Sequence, residues 1–262
     1  MKLLKHCLTV AGSDPSGGAG IEADIKTFSA LDCYAMSVIT SVVAENTFSV
    51  KGKLDVPAEM ITAQLEAVFD DIRVDGMKIG MLTDISSAEA VASAIGKYKP
   101  PILIFDPVMN ATAGAELLSP KAVETVKQRL IPLCTLVTPN IPEAEILTGM
   151  SIKSSKDMKA AAVKLTEKGA KAVLLKGGHL SGNAEDLLFD GKAFRFYSAP
   201  RISTNTTHGT GCTLSSAITA FMAKGCDLPK AVEKAKEFIT GAIENGLDIG
   251  KGKGPLNHFY KL

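Results

Sequence analysis

Short apolar runs alternate with longer amphipathic ones along nearly the whole chain. Continuous apolar runs of strand length occupy residues 4–11, 34–43, 76–80, 102–106, 135–138 and 172–176, and they predict buried strands. Between them the spacing becomes helical. Over residues 57–72 the apolar positions Ile61, Leu65, Val68, Phe69 and Ile72 fall on one face, with Asp55 available as an N-cap. Ala231, Ala235, Phe238, Ile239 and Ala242 repeat the device late in the chain. Alternation of this kind predicts an α/β fold, a mostly parallel sheet covered by helices on both faces. The exception is 186–198, where two short runs flank Asp190-Gly191 and predict a hairpin. No linker, low-complexity tract or repeat interrupts the pattern, so a single domain over residues 1–262 is expected.

Composition mainly excludes. With 46% hydrophobic and 22% charged residues among 262, the chain reads as an ordinary globular protein. A formal net charge of +1 supplies no whole-surface field for nucleic acid or an anionic membrane, so an anion must be caught locally. The opening MKLLKHCLTVAG has the lysines of a leader, but its apolar stretch 7–11 is short and His6 interrupts it; a buried first strand fits better. No stretch approaches the roughly 20 apolar residues of a membrane span. The five cysteines are scattered without a CxxC pair, and a reducing cytoplasm is the expected location.

Ligands of open parallel sheets bind beyond the carboxyl ends of the strands, which directs attention to the turns that follow them. The first is Gly12-Ser13-Asp14-Pro15-Ser16-Gly17-Gly18-Ala19-Gly20, whose glycines allow close backbone approach and free N–H groups for an anion. Residues 18–23 satisfy the relaxed dinucleotide pattern G-x-G-x-x-G/A. That pattern should begin directly after the strand, however, and no Gly-Lys-Ser/Thr of a Walker A loop follows. The most informative segment is Asn205-Thr206-Thr207-His208-Gly209-Thr210-Gly211-Cys212-Thr213, which opens a helical run to residue 224. Gly-Thr-Gly at a helix start aims unpaired N–H groups at one point, with the positive end of the dipole behind them. Such a cradle stabilises charge on a phosphoryl group in transfer. Cys212 stands at the same helix start, where a lowered thiol pKa is expected; the alternative is a buried cysteine beside a capping turn.

Asp106-Pro107-Val108-Met109 ends one strand and Thr138-Pro139-Asn140-Ile141-Pro142-Glu143 ends the next. Asp106, Asn140 and Glu143 could orient Mg²⁺ through its waters. Alternatively, Asn140 and Glu143 merely begin the helix containing Ile146. Lys176-Gly177-Gly178-His179 closes another strand, with Lys176 placed either for a nucleotide phosphate or in solvent. His179 and His208 have no third ligand at metal spacing, and neither is expected to be a catalyst.

Together GSDPSGGAG, DPVM, TPN-x-PEA, KGGH and HGTGCT, in this order and spacing, resemble the hydroxymethylpyrimidine and phosphomethylpyrimidine kinases of the ribokinase-like superfamily. Gly252-Lys253-Gly254-Pro255-Leu256-Asn257-His258 resembles their closing segment, so the likeness runs from residue 7 to residue 258. The resemblance implies a three-layer α/β/α sandwich with a mostly parallel central sheet and a small β-hairpin. It implies ATP and Mg²⁺, and two successive phosphorylations of 4-amino-5-hydroxymethyl-2-methylpyrimidine, to the monophosphate and then the diphosphate, in thiamine biosynthesis. Substrate contacts map onto Ala19, Asp24, Glu45, Met81 and Val108, and the anion hole onto Gly209, Thr210 and Gly211. Cys212 stands where most of the superfamily carries an aspartate base. Asp106, Asn140, Glu143, Lys176 and Thr207 are the candidate nucleotide contacts. A cytoplasmic homodimer acting on a small-molecule pyrimidine, without nucleic acid or membrane, is the expected assembly.

Two residues depart from the family pattern. Glu45 stands where glutamine is common, and Asn110 replaces an apolar residue after DPVM. The competing readings are a pyridoxal kinase of the same superfamily and a non-catalytic vitamin- or nucleotide-binding regulator. Glu45-Asn46-Thr47 favours the pyrimidine over pyridoxal, and the intact anion loop with Cys212 argues against a mere binder.

Overall fold

The computed structural model describes residues 4–109, 118–178 and 184–261; Asn110 and His179 lie outside the described residues. The first half runs β1 (Lys5–Gly12), α1 (Gly20–Ala30), β2 (Cys33–Glu45), β3 (Val50–Asp55), α2 (Ala58–Phe69), β4 (Gly76–Ile79), α3 (Ile85–Tyr98) and β5 (Leu103–Phe105). The second runs α4 (Pro120–Thr125), β6 (Leu136–Val137), α5 (Ile141–Thr148), α6 (Ser155–Glu167), β7 (Val173–Leu175), β8 (Ala184–Phe189), β9 (Phe194–Ala199), α7 (Thr210–Ala223) and α8 (Leu228–Glu244).

These strands form one nine-stranded sheet in the order β3-β2-β1-β4-β5-β6-β7-β8-β9. From β2 to β7 all neighbours are parallel, while β3, β8 and β9 are antiparallel additions at the two edges. Strand order reverses at β1: the chain steps outward to β2 and β3, then returns to the other side of β1 as β4. A sheet of this type opens a crevice at that reversal, beyond the carboxyl end of β1.

The short central strands show how the layers separate. Leu103, Phe105, Val137, Val173 and Leu175 point into a core shared with Ile61 and Leu65 of α2, Val91 of α3 and Leu165 of α6. Their neighbours Ile104, Leu136 and Leu174 point the other way, into a core with Leu214 and Ile218 of α7 and Phe238 and Ile239 of α8. A strand buried on both faces has no polar side, which is why these segments read as continuous apolar runs. The hairpin lies where expected, with Phe189 paired to Phe194 across the Asp190-Gly191 turn.

Two expectations change. A further strand, β3, pairs antiparallel with the extension of β2; its KGKLD sequence lies largely exposed and has no apolar run to announce it. Asp55 belongs to the end of that strand, where it accepts a hydrogen bond from Ser41 at 3.0 Å, and α2 is instead preceded by Pro57 without a side-chain cap. No helix among the described residues is long and apolar enough to cross a membrane.

Candidate active site

The carboxyl ends of β1, β2, β4, β5, β6 and β7, together with the start of α7, surround one cleft of ≈ 800 Å³. At its β1 end, β2 runs past the end of β1 and carries Val43 and Glu45 over the first turn. Ser13 fastens this overhang: its N–H donates to Ser41 O at 2.9 Å, and its hydroxyl accepts from Val43 N at 3.1 Å. Ala19, Glu45, Met81 and Val108 all line this half. Three walls are apolar and Glu45 is the polar group. Burial, and then the negative charge of Asp14, push the Glu45 carboxyl up to about 7 against the opposing pull of His208.

The loop around Asp14 is organised from within. Asp14 accepts hydrogen bonds from the N–H groups of Ser16, Gly18 and Ala19, and its Oδ2 lies 2.8 Å from His208 Nε2. Burial would raise this carboxyl, but His208 and those donors outweigh it and hold it well below its ordinary value. His208 thus ties the first turn to the loop preceding α7. The contact is tight: a Cβ on Gly209, whose φ is +84°, would run into the carbonyl of Gly18.

Residues 247–258 complete the enclosure. Gly252 N and Lys253 N donate to Thr47 just beyond Glu45, while Gly254 bridges Asn205 and His208 through its own N–H and carbonyl. His258 is buried, with its Nε2 2.9 Å from the hydroxyl of Thr213 in the first turn of α7.

The other half of the cleft holds the charged groups. Thr210, Gly211 and Cys212 are the first residues of α7, where N–H groups lack intrahelical acceptors. Lys176 Nζ donates to Asp106 Oδ1 at 2.7 Å and lies 3.9 Å from Glu143. The same Asp106 oxygen accepts from Thr138 at 3.0 Å. Burial alone would lower the pKa of Lys176, but the charges of Asp106 and Glu143 outweigh it and raise it. Thr207 lines the same wall. Beyond it Leu214, Ile239 and Ile243 form an apolar shelf beside Lys236, whose ammonium pairs with Asp186.

Three sequence expectations are corrected or narrowed here. Asn140 and Glu143 form a capping box: Glu143 N donates to Asn140 Oδ1 at 2.9 Å and Asn140 N donates to Glu143 Oε2 at 2.7 Å. The helix-start reading of these two residues is therefore the one seen. Asp24 does not line the cleft; it is fully buried behind it, paired with Lys78 at 2.7 Å. The Cys212 thiol is half-buried, and its pKa is pushed up to about 11 rather than lowered. Desolvation is the main cause, with the Asp24 and Asp106 carboxylates adding to it and Lys78 opposing. The helix start alone does not overcome these effects. Sequence reasoning also passed over Asp14, Lys78 and the structural duty of His208.

The sequence model of the phosphomethylpyrimidine kinase family matches residues 14–257. The hydroxymethylpyrimidine/phosphomethylpyrimidine kinase of Bacillus subtilis is 49% identical over 96% of this chain and 94% of that protein. A thiamine biosynthesis bifunctional protein of Geobacter sulfurreducens is also 49% identical over 96% of the chain, which spans about half of it, 51%. Among solved structures, phosphomethylpyrimidine kinase from Clostridium difficile superposes with a TM-score of 0.83 at 45% identity, covering 91% of this chain and 99% of that one. The pyridoxal kinase of Staphylococcus aureus in complex with ADP superposes with a TM-score of 0.92 at 36% identity, covering 99% and 95%.

Proposed function

The chain belongs to the phosphomethylpyrimidine kinase family, and on that premise we propose that it phosphorylates the hydroxymethyl group of an aminopyrimidine with ATP, then phosphorylates the product again. The observation that carries this reading is the position of Cys212. It lines the same cleft as Met81, Val108 and Glu45 on the one hand and Lys176 and Asp106 on the other.

Phosphoryl transfer needs positioning, neutralisation of charge and a group to take the alcohol proton. The flat apolar walls and Glu45 suit an aminopyrimidine ring, whose edge presents an amino donor beside a ring-nitrogen acceptor. The N–H groups of Thr210, Gly211 and Cys212 hold the oxygens of the phosphoryl group. Gly211 has no side chain to block that approach, since a Cβ there would lie 3.3 Å from Asp106 Oδ2 and 3.4 Å from Lys176 Nζ. In the first step the Cys212 thiolate takes the hydroxyl proton while the oxygen attacks phosphorus. The second step has an acceptor phosphate that is already ionised, so it makes no such demand on Cys212.

The nucleotide fits the remainder of the cleft, with the apolar shelf of Leu214, Ile239 and Ile243 for its base and Lys176 for its phosphates. Mg²⁺ fits as well: among the described residues Asp106 Oδ2 is met only by the Ser215 hydroxyl at 3.5 Å, and Glu143 stands nearby. Asp106 and Glu143 would hold the ion through its waters, whereas the Asn140 side-chain oxygen is committed to its helix. When bound, the ion neutralises phosphate charge. The test is ADP release from MgATP with hydroxymethylpyrimidine, its monophosphate and pyridoxal as separate acceptors. Turnover with the first two is expected; turnover with pyridoxal alone overturns the reading.

A further inference from the structure

Behind the phosphate loop, sealed from solvent, lies a charged group that this chemistry has not yet used. Lys78 sits on β4, a strand buried at every position, and is itself fully buried. Its Nζ donates to Asp24 Oδ2 at 2.7 Å. Asp24 also accepts the Thr9 hydroxyl on Oδ2 and the Ser216 hydroxyl on Oδ1, each at 2.6 Å. The carboxylate is therefore satisfied at both oxygens. The ammonium, with three donors, has that one hydrogen-bond acceptor among the described residues.

Stability does not account for the pair. An apolar pair of similar volume in such a place is often neutral or better, because desolvation offsets the attraction. What distinguishes it is its place under Cys212. Ser216 follows Cys212 by one helical turn on α7, so the two side chains share a face, and Ser216 reaches Asp24. Asp24 in turn follows Gly20 by one turn on α1, and the backbone of Gly20 favours the ionised form of the Cys212 thiol. Two helices thus bring the ion pair beside the turn of α7 that carries Cys212. A Cβ on Gly80 would lie 2.7 Å from Lys78 Nζ, so the bare backbone after β4 leaves room for the ammonium.

We propose that Lys78 is a positioning residue whose buried ammonium stabilises the thiolate of Cys212, with Asp24 anchoring it there. The proposal rests on Cys212 being the proton acceptor. In the reaction, the substrate hydroxyl proton passes to the sulfur, the oxygen forms its bond to phosphorus, and ADP leaves with the electron pair of the broken bond. Four charged groups act electrostatically on the thiol: Lys78 from β4, Lys176 from the end of β7, Asp24 from α1 and Asp106 from the end of β5. Of these, Lys78 has the largest influence on the thiol and favours the ionised form.

The test reads the thiol directly, in ligand-free protein carrying Cys226→Ser to remove the other half-buried cysteine. The rate of alkylation by iodoacetamide is followed between about pH 7 and 10, a range that spans ordinary thiol ionisation. Lys78→Met should slow alkylation by about tenfold or more at pH 8, the effect of losing a nearby opposite charge. Lys78→Met/Asp24→Asn replaces the pair with neutral groups and so remains available should the single variant not fold. Its rate should fall between the single variant and wild type. Ser216→Ala, a neutral change at the same contact, should leave the profile in place. A loosened structure would instead expose the sulfur and speed its alkylation. Wild-type or faster alkylation in both the single and the double variant overturns the proposal. A shifted profile with unchanged turnover supports the action of Lys78 on the thiol and removes Cys212 as proton acceptor.

Discussion

The ammonium of Lys176 lies 2.7 Å from Oδ1 of Asp106, and the pair closely borders the place a Cβ on Gly211 would take. A cation and a carboxylate therefore neutralise each other in the ligand-free protein at the place proposed for the phosphates. If Lys176 turns from Asp106 to the nucleotide, Lys176→Met should raise KM for ATP by roughly 10- to 100-fold, the worth of a charged hydrogen bond. KM for the pyrimidine should hardly move. Steady-state kinetics with each substrate varied in turn checks this, and an equal rise in both would place Lys176 outside the nucleotide pocket.

Cys212→Ala separates the two phosphorylations. Loss of a general base costs about 10²- to 10⁴-fold. That loss should appear in kcat for the alcohol and be largely absent for the monophosphate, whose attacking oxygen carries no proton that must be removed. Equal loss in both steps would mean that the thiol positions the acceptor rather than accepting its proton.

Glu45 gives pyrimidine binding a pH dependence of predictable sign. In the empty pocket its carboxyl titrates at about 7, raised first by burial and then by Asp14. Below that value it is neutral and can donate to the ring nitrogen while accepting from the amino group, as an amide would. Above it the carboxylate only accepts, so binding must take up a proton and affinity falls. Glu45→Gln should flatten the dependence without abolishing binding. Calorimetric titration in buffers of different ionisation enthalpy measures the proton uptake directly; no uptake by wild type at pH 8 would remove Glu45 from ring recognition.

His258 should make the fold sensitive to acid. Burial is the main reason its imidazole titrates at about 4 instead of the ordinary 6.5, with Lys26 adding to the effect. Between those values the unfolded chain binds a proton that the folded one refuses, so stability falls as pH drops through that window. The cost approaches about 3 kcal/mol near pH 4, from 1.36 kcal/mol for each pH unit. In urea unfolding from pH 7 to pH 4, His258→Gln should lose less stability than wild type; parallel losses would show that other groups govern the acid response.

The sequence makes the parallel core legible because a strand covered on both faces must be apolar throughout, as Leu103–Phe105 and Val173–Leu175 are. β3 escapes for the opposite reason: its exposed KGKLD residues are held by backbone pairing to β2, which leaves no mark in the side chains. Within the site, the turns after strands are visible from their glycines and carboxylates, but their duties are not, since Asn140 and Glu143 proved to cap a helix. The Asp14–His208 contact joins residues far apart in the chain, and no local pattern announces it. Lys78 did leave a signal, a lone lysine inside the apolar run Gly76–Ile79. The raised pKa of Cys212 depends on burial and on Asp24 and Asp106 together, so it emerges only when those elements pack.

The strap that joins Gly252 and Lys253 to Thr47, and Gly254 to Asn205 and His208, makes two distant parts of the cleft depend on one segment. Translation lays down the ring pocket early and the phosphate loop late, and the clasp between them comes later still. A nascent chain halted before residue 252 contains Cys212, Lys176 and Glu45 yet lacks the backbone donors that clasp Thr47. The clasp thereby couples the ring pocket to the phosphate loop through backbone donors, so that loosening either attachment loosens both.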